Sequence, residues 1–567
     1  MAKHRSRIIL FLVILAVVCS AQEKPGEERL RNIIKSKGQA EVVIPYPDKV
    51  SLNELTRNVS IRAARDKKIY IVLSPLTVDW FLASGHKFDI LEYPYGKYFL
   101  GSANMREAME WESYPTLPQY DSIIKSFADN YPSLCRLDTI GTSIKGRIIY
   151  AVRISSDSTG NKDLPRVFIT SSIHGDETGG YVLLLRLADY LLKNYAPGSM
   201  TGVLLDSLEI WINPLANPDG TYNFGDVITT PVRHNADGYD LNRNFPDPSA
   251  PATVRQKETL DMIRFMRKQR FVLSANLHSG SEVVNYPWDR WERYHADNNW
   301  FCQISRKYAD TVHYYSIPGY MNDLDNGITN GYAWYSIYGG RQDFVTYELQ
   351  GREVTIEIDD DYITPPAGLS DLWEYNYRSL LGFFENALYG IHGTTADYKS
   401  GKPVPAKLFI KGHDRDSSHI FSDTLSGSFI RLLEPGVWDV SFSARGYRDT
   451  VIRDILVNDG ERTTLSVRMK KESDISDEKN INDIILYPNP SLSFVNVVLP
   501  EKMTGTVNIR IVSHTGTLLG DYETEVFDRV PVIIDTGGFP PGSYSVVFMS
   551  LKTGVTVSGR FIKAGGS

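Results

Sequence analysis

The feature that most constrains the fold is a regular alternation of apolar runs with a helical pattern between Tyr114 and Tyr389. Four runs have the length and composition of buried strands: RIIYAVRIS, RVFITSSI, SLEIWINPL and FVLSANLH. After the second run, YVLLLRLADYLLKNY repeats its apolar residues at the spacing of an amphipathic helix. About 275 residues of this alternation predict one α/β domain with a mixed sheet.

The chain has 567 residues, too many for one hydrophobic core, so three or four domains are expected. Before the central pattern, apolar runs and two helix-like stretches, Ser51 to Asp66 and Thr77 to Ser84, predict a small α/β unit. From Gly390 onward, short strands between Gly, Pro and Asp turns predict small β-sandwiches. The predicted division is a signal peptide at 1–21, an N-terminal α/β unit at 22–111, the central domain at 112–389, a β-sandwich at 390–470, a linker at 471–483 and a C-terminal β-domain at 484–567.

The first residues have the pattern of a secretory signal peptide. Lys3, Arg5 and Arg7 precede eleven apolar residues, Ile8 to Val18, and small residues end at Ala21. A transmembrane span needs about 20 apolar residues, so this stretch is too short for one. A lipoprotein site at Cys19 is the second interpretation. No later segment is apolar enough to span a bilayer.

Removal of residues 1–21 would change the formal charge from −7 to −10. A mildly acidic exported protein does not fit nucleic-acid binding, which needs basic surfaces. Two later cysteines remain, Cys135 and Cys302, and we expect two separate buried thiols rather than a disulfide.

Two of the strand-like runs end close to a histidine. His174 follows RVFITSSI, Glu177 comes three residues later, and His278 ends FVLSANLH. Loops at the carboxyl ends of strands are where α/β sheets place ligands, and His with Glu suits Zn²⁺. Each residue alone has an ordinary alternative, a capping glutamate or a structural histidine. Together they predict a three-ligand metal site with an open fourth position.

Further blocks make a family resemblance specific. DLNRNFPD, SANLH with NYPWD, GITNGYAWYSIYGGRQD and EVTIEI follow His174 and Glu177 in order. Over about residues 112–390 the chain resembles the M14 zinc metallocarboxypeptidases, most of all the regulatory branch that contains carboxypeptidases D, E, M and N. The resemblance implies one Zn²⁺ per chain and peptide or protein substrates with accessible C-termini.

The resemblance also assigns roles to single residues. It implies His174, Glu177 and His278 as zinc ligands, and Asp240 as the carboxylate that orients His174. Glu357 matches the general base and Arg233 the arginine that stabilises the oxyanion. Three residues match the group that binds the substrate's terminal carboxylate: Asn242, Arg243 and Tyr335. Solvated arginines and a core tyrosine are the ordinary alternatives.

Two positions bear on the terminal side chain of the substrate. Gln342 occupies the position two residues after Gly339-Gly340, which helps to shape the pocket in this family. Asp289, eleven residues after His278, occupies the place of the aspartate that selects C-terminal Lys or Arg. A buried carboxylate would discriminate against an apolar side chain, which leaves its charge unpaired. The alternative is a turn residue paired with Arg290 or Arg293.

The flanking segments carry resemblances of their own. The N-terminal unit is similar to a carboxypeptidase prodomain, which would cover the site until proteolysis; a retained accessory unit is the alternative. Residues 390–470 resemble the transthyretin-like sandwich of the regulatory branch. YPNPSLSFVNVVLP and the closing GVTVSGRFIKAGGS are similar to C-terminal sorting domains of type IX secretion, which implies that machinery as a partner and export by a Gram-negative bacterium. An adhesion module is the alternative.

The sequence therefore favours a secreted zinc carboxypeptidase that removes C-terminal Lys or Arg. The same metal site with specificity for cell-wall peptides or neutral residues is the second interpretation. An inactive surface-binding protein is the third, and it would predict losses among the ligands or the base.

Overall fold

The computed structural model describes residues 25–92, 101–160, 162–249, 254–473, 484–528 and 530–565. The predicted signal peptide and most of the predicted linker lie outside these residues. In the described part of the chain, no helix is both long and apolar enough to cross a membrane.

The N-terminal unit is a four-stranded antiparallel sheet with helices. Its strand order is β2-β3-β1-β4. The elements are α1 (Pro25–Lys37), α2 (Lys49–Asn58), α3 (Val78–Ala83), β1 (Ala40–Pro45), β2 (Ser60–Arg65), β3 (Lys68–Leu73) and β4 (Asp89–Leu91). The predicted helix from Ser51 to Asp66 is wrong in its second half, because Ser60–Arg65 forms β2, which pairs with β3 as an antiparallel strand.

The central domain contains an eight-stranded mixed sheet in the order β11-β10-β12-β9-β7-β8-β6-β5. Its strands are β5 (Cys135–Thr142), β6 (Ile148–Ile154), β7 (Arg166–Ser171), β8 (Glu209–Asn213), β9 (Leu273–His278), β10 (Ser281–Tyr286), β11 (Ile328–Asn330) and β12 (Arg352–Asp359). The pairs β7–β8, β7–β9, β9–β12 and β10–β11 are parallel, and the other pairs are antiparallel. The predicted mixed α/β sheet is therefore confirmed.

Helices cover both faces of this sheet. They are α4 (Met105–Ala108), α5 (Leu117–Asn130), α6 (Gly179–Lys193), α7 (Met200–Ser207), α8 (Pro218–Thr221), α9 (Lys257–Gln269), α10 (Asn298–Tyr315), α11 (Asp323–Asn326), α12 (Gly331–Trp334), α13 (Arg341–Glu348) and α14 (Leu369–Glu385). Short 3₁₀ turns occupy Leu241–Arg243, Pro366–Gly368 and Asn386–Leu388.

The strands of the central sheet are apolar at nearly every position because their side chains pack into two hydrophobic cores, one on each face of the sheet. In β7, Val167 and Ile169 pack into the core that contains α6 and α14, while Phe168 packs into the opposite core with α9. Successive side chains of a strand point to opposite faces, so a sheet covered on both sides needs apolar residues at nearly every position. This double burial holds the central strands, and with them the strand ends that carry the site.

Two all-β parts follow. The first has sheets β16-β13-β19 and β15-β14-β17-β18, and the second has β20-β21-β24 and β23-β22-β25-β26. Their strands are β13 (Gly390–Asp397), β14 (Lys407–Ile410), β15 (Ile420–Phe421), β16 (Ser428–Arg431), β17 (Gly436–Ser443), β18 (Thr450–Val457), β19 (Arg462–Met469), β20 (Ile485–Tyr487), β21 (Phe494–Val498), β22 (Gly505–Ser513), β23 (Leu518–Val526), β24 (Val532–Asp535), β25 (Gly542–Ser550) and β26 (Thr556–Lys563). Each part encloses its own apolar core.

A buried ion network joins the central domain to the first β-sandwich. Asp297 of the central domain accepts hydrogen bonds from Arg431 and His413 of the sandwich, at 2.8 and 2.7 Å. Arg352 of β12 also pairs with Asp297. Because two guanidinium groups already neutralise this carboxylate, the cluster is suited to joining the two parts rather than to holding a cation. Cys135 and Cys302 are separate thiols, as predicted, with Cys135 buried and Cys302 half-buried.

Candidate metal centre and substrate cleft

Three donor groups converge where β7 and β9 end. The two strands are parallel neighbours, with Ser171 opposite Leu277, so their carboxyl ends meet at one edge of the sheet. His174 Nδ1 lies 2.9 Å from Glu177 Oε1, and His278 Nδ1 lies 2.8 Å from Glu177 Oε2. The two imidazole Nδ1 atoms are 3.1 Å apart. All three side chains are buried.

The protonation of this cluster suits a cation. Burial would raise the pKa of Glu177, but the two imidazoles bring it well below its ordinary value. Burial lowers the pKa of His278 to about 4, against the attraction of Glu177, so the ring is neutral at neutral pH. One ligand atom from each of His174, Glu177 and His278 lies within 4.8 Å of the other two, close enough for the three to bind one ion. Two imidazoles and one carboxylate form a donor set that catalytic zinc uses.

Asp240 fixes one of the donors. Its Oδ1 accepts a hydrogen bond from His174 Nε2 at 3.0 Å, which leaves His174 Nδ1 free to face the cluster. Arg233 donates from Nε to Asp240 Oδ2 at 3.0 Å and from Nη1 to Glu177 Oε1 at 3.1 Å. Burial would raise the pKa of Asp240, but Arg233 and His174 hold it well below its ordinary value. The carboxylate is therefore ionised and oriented.

Glu357 lies beside this cluster. On β12 it pairs in parallel register with His278 of β9, so the two side chains point to the same face. Burial, followed by the nearby charge of Glu177, raises its pKa well above the ordinary value. Its Oε2 has no hydrogen-bond partner in the described part of the chain. A carboxyl group with a raised pKa and a free oxygen, next to a metal site, is suited to accepting a proton.

The carboxylate-binding candidates line the same cleft. Asn242 and Arg243 belong to the 3₁₀ turn that Asp240 caps by accepting from Asn242 N at 2.8 Å. Arg243 Nη1 donates to the carbonyl of Asn242 at 3.0 Å, and Arg243 Nε has no hydrogen-bond partner among the described residues. Tyr335 is buried, and burial raises its pKa to about 12, so it remains a hydrogen-bond donor.

The part of the cleft that was predicted to receive the substrate's terminal side chain contains two buried carboxyl groups. Asp289 Oδ1 accepts hydrogen bonds from Asn285 and Gln342, each at 3.0 Å. Asp343 accepts from the backbone N of Asp289 and of Arg290, at 3.0 and 3.1 Å, an interaction that the sequence did not reveal. Burial raises the pKa of Asp289 to about 6, and burial together with Asp289 raises that of Asp343 to about 8.

The alternative partners of Asp289 are engaged elsewhere. Arg290 pairs with Asp247 at 2.7 Å, and Arg293 pairs with Asp416 at 2.7 Å. Asp289 therefore faces the cleft, which its side chain lines, without either arginine as its partner.

The N-terminal unit packs against the residues around the cleft, through contacts that sequence reasoning missed. Gln39 Nε2 donates to Asp176 Oδ2 at 3.0 Å, and Gln39 Oε1 accepts from the backbone N of Arg233 at 2.8 Å. Arg62 pairs with Asp176 and stacks on Tyr362, with its guanidinium carbon 3.8 Å from the ring centre. The only hint of this contact in the sequence was Asp176 in the HGDE segment. A third charged residue beside two metal ligands indicates that another part of the chain pairs with it.

A second contact reaches the metal centre itself. Ser60 Oγ donates to Asp240 Oδ2 at 2.7 Å, so the N-terminal unit touches the carboxylate that orients His174. Tyr335 packs into the core of the same unit. With the unit in place, the cleft has a cavity volume of about 20 Å³, which is space for about one water molecule.

Comparison with known proteins decides the family. A zinc carboxypeptidase family model matches residues 120–379. Carboxypeptidase M from Mus musculus is 32% identical over 343 residues, which cover 58% of this chain and 77% of that protein. The chain belongs to the zinc carboxypeptidase family. Zinc is therefore the cofactor to which the donor set of His174, Glu177 and His278 corresponds.

Other members of the zinc carboxypeptidase family match over similar lengths. Carboxypeptidase SOL1 from Arabidopsis thaliana is 33% identical over 350 residues, 59% of this chain and 68% of that protein. Carboxypeptidase D from Rattus norvegicus is 35% identical over 348 residues, 58% of this chain. The match spans about a quarter, 25%, of the length of that carboxypeptidase D.

Proposed function

We propose that the protein is a secreted zinc carboxypeptidase that hydrolyses the C-terminal peptide bond of peptides and proteins. The observation that carries the proposal is the parallel register of β9 and β12, which sets Glu357 beside His278, one of three converging zinc donors. A base adjacent to a metal site is the arrangement that peptide hydrolysis needs.

Each residue has a separate task. His174, Glu177 and His278 would hold the zinc ion, which would supply Lewis-acid chemistry to the peptide carbonyl and to the attacking water. Glu357 accepts the proton of that water and returns it to the departing amine. Arg233, held by Asp240 and Glu177, offers positive charge where the oxyanion develops.

Three residues position the substrate. The terminal carboxylate binds Asn242 and Arg243, whose guanidinium can contact both oxygens, and Tyr335 closes over it. Holding the carboxylate restricts attack to the last peptide bond, because an internal bond has no such group at that distance.

We propose that Asp289 selects C-terminal Lys or Arg. Its buried carboxyl lines the cleft and is held by the amides of Asn285 and Gln342. A cationic side chain would pair with its charge, whereas an apolar one would leave that charge buried and unpaired. The competing specificity, for neutral residues or cell-wall peptides, uses the same metal site.

One assay tests the activity and its specificity. Peptides that end in Arg, Lys, Phe and D-Ala are incubated with the zinc-loaded protein, with and without a chelator. We expect chelator-sensitive release of Arg and Lys. Release of D-Ala or Phe in preference would support the competing specificity. No release, together with less than one zinc per chain by elemental analysis, would support an inactive surface-binding protein.

We propose that the N-terminal unit at 22–111 acts as a prodomain. Its contacts with Asp176 and Asp240, and the 20 Å³ of remaining cavity, support occlusion of the cleft. A specific protease site inserted between Glu92 and Gly101 tests this directly. Cleavage should release the unit and raise peptide hydrolysis; a cleaved unit that stays bound without change in activity would identify a retained accessory.

We also propose roles for the two all-β parts: the first supports the central domain, and the second directs export. Residues 390–470 form a transthyretin-like sandwich that braces the central domain, supported by the ion network around Asp297. Residues 484–567 direct type IX secretion from a Gram-negative bacterium, supported by the YPNP opening and the two-sheet arrangement. Deletion of 484–567 should trap the protein in the periplasm, as detected by cell fractionation; normal export would favour an adhesion module.

A further inference from the structure

One side chain of the N-terminal unit lines the substrate cleft. Arg62, on β2, borders the cleft together with the three zinc donors. Its side chain is 1% exposed, and its guanidinium group pairs with Asp176. The same group lies over Tyr362, with its central carbon 3.8 Å from the ring centre. Both partners belong to the central domain, so the structure shows a place beside the metal centre that accepts a guanidinium group.

The carboxylate of Asp176 takes its partners from the N-terminal unit. Its Oδ2 accepts hydrogen bonds from two side chains of that unit, and its Oδ1 has no hydrogen-bond partner in the described part of the chain. Arg233 does not take the place of Arg62, because its own guanidinium group binds Asp240 and Glu177. The proposed release of the N-terminal unit would therefore leave a carboxylate that can bind a new cation.

The ring of Tyr362 offers a face to the same cation. A guanidinium group within about 6 Å of a ring centre is attracted by the aromatic face, more strongly when water is excluded. Glu41 also pairs with Arg62, at 3.4 Å, but it belongs to the N-terminal unit and would leave with it. Asp176 and Tyr362 would remain. A carboxylate and an aromatic face together bind Arg better than Lys, whose ammonium group has no plane to stack.

The position of this pair decides which part of a peptide can reach it. The terminal residue is proposed to bind at the carboxylate-binding residues and Asp289, so the rest of the peptide would extend past the zinc donors. Asp176 immediately precedes the donor Glu177, and Thr178 N donates to the carbonyl of Tyr362 at 3.0 Å. The pair therefore borders the zinc donors, where a residue that precedes the terminal one would pass.

We propose that Asp176 and Tyr362 form a subsite for a basic side chain, with Arg preferred, on a substrate residue that precedes the terminal one. Arg62 fills this subsite while the N-terminal unit is docked, so the unit excludes substrate with a side chain of the same chemistry. The inference rests on the proposed peptidase function and deepens it, because the substrates would carry a second basic residue before the terminal Lys or Arg.

Peptide binding to the zinc-loaded protein tests the subsite without turnover. The chain carries Glu357→Gln and the protease site between Glu92 and Gly101, and it is cut there before calorimetric titration. The reference peptide is four alanines followed by arginine. In its derivatives Arg, Lys or citrulline, which has the shape of arginine without the charge, replaces the penultimate alanine or the one before it.

The expected result is a preference at one of these two places. There, Arg should bind at least about tenfold more tightly than citrulline or alanine, the effect of one charge-assisted hydrogen bond, and Lys should bind with intermediate affinity.

Variants of the cut protein locate the binding. Asp176→Asn keeps the shape of the side chain and should remove the preference for Arg over citrulline. Tyr362→Leu should reduce that preference about twofold to fivefold, whereas Tyr362→Phe retains the ring and should preserve it. Asp459→Asn, in the first β-sandwich, removes a carboxylate that pairs with Lys307; it is the matched control and should leave the preference unchanged.

Three results would overturn the assignment: equal binding of the Arg and citrulline peptides at both places, a preference that survives Asp176→Asn, or no binding of any peptide after the unit has left. If the cut unit stays docked, gel filtration with each peptide replaces the titration. The Arg peptide should then release the unit at a concentration about tenfold lower than the citrulline peptide, and equal release or none would also overturn it. Hydrolysis is measured separately with Glu357 intact, so loss of peptidase activity and loss of the Arg preference are separate results.

Discussion

Replacement of Glu357 by glutamine is the most informative change to the site. The substitution keeps the shape of the side chain and its place on β12 beside His278, but removes the proton acceptor. General acid–base catalysis contributes about 10²–10⁴-fold, or about 3–5 kcal/mol of the barrier. We therefore expect kcat to fall by at least about 100-fold, with KM and zinc content unchanged.

The same substitution should raise the stability of the folded protein, although it lowers kcat. Burial and Glu177 raise the pKa of Glu357, so its ionised form is a cost to the folded state. That cost is absent below the pKa of the unfolded chain, grows as pH rises from that value to the raised folded value, and is constant above it. In chelated protein, Glu357→Gln should therefore raise the melting temperature at pH 8 and change it little at pH 4.

Kinetics on an Arg-terminated peptide, zinc analysis and thermal melting at the two pH values measure these effects. Glu282→Gln is the matched control: burial raises the pKa of Glu282 to about 7, yet this residue lies outside the cleft lining. It should leave kcat unchanged. Near-normal turnover by Glu357→Gln would refute its role as the base.

Three other substitutions probe the surroundings. Asp240→Asn should weaken zinc binding about 10–100-fold in a chelator competition titration, because His174 loses its orienting charge; unchanged affinity would refute this. Asp289→Asn should abolish the preference for peptides that end in Arg over peptides that end in Phe. In the wild type that preference should fall as pH drops through about 6, because protonation neutralises Asp289. Arg62→Ala should weaken docking of the N-terminal unit and raise peptide hydrolysis, whereas the surface control Arg29→Ala should not; equal rates would count against occlusion.

The central sheet could be predicted because its signal is local. A strand that is buried on both faces of the sheet is apolar along its length. Runs such as RVFITSSI and FVLSANLH therefore predict β7 and β9 from the sequence alone. The failure at Ser51 to Asp66 has a local cause as well. SIRAAR has no apolar excess of its own, and only pairing with β3 makes it a strand.

The contacts of the N-terminal unit could not be predicted in the same way. Gln39 and Ser60 meet Asp176 and Asp240 across 137 and 180 positions of the chain, where the N-terminal unit packs against the central domain. Neither residue type nor spacing signals such a contact. The roles of the site residues rested on the family resemblance and stay predictions that the substitutions above test.

The pairing of Glu357 with His278 by strand register has a consequence for engineering. The backbone ladder of two interior strands sets this alignment, and the connecting segments do not. Grafting new segments around Asp289 could retarget the enzyme toward other termini while the reactive pair keeps its spacing. A shift of β12 by a single residue would instead turn Glu357 to the opposite face of the sheet, and the chemistry would disappear from an otherwise well-folded molecule.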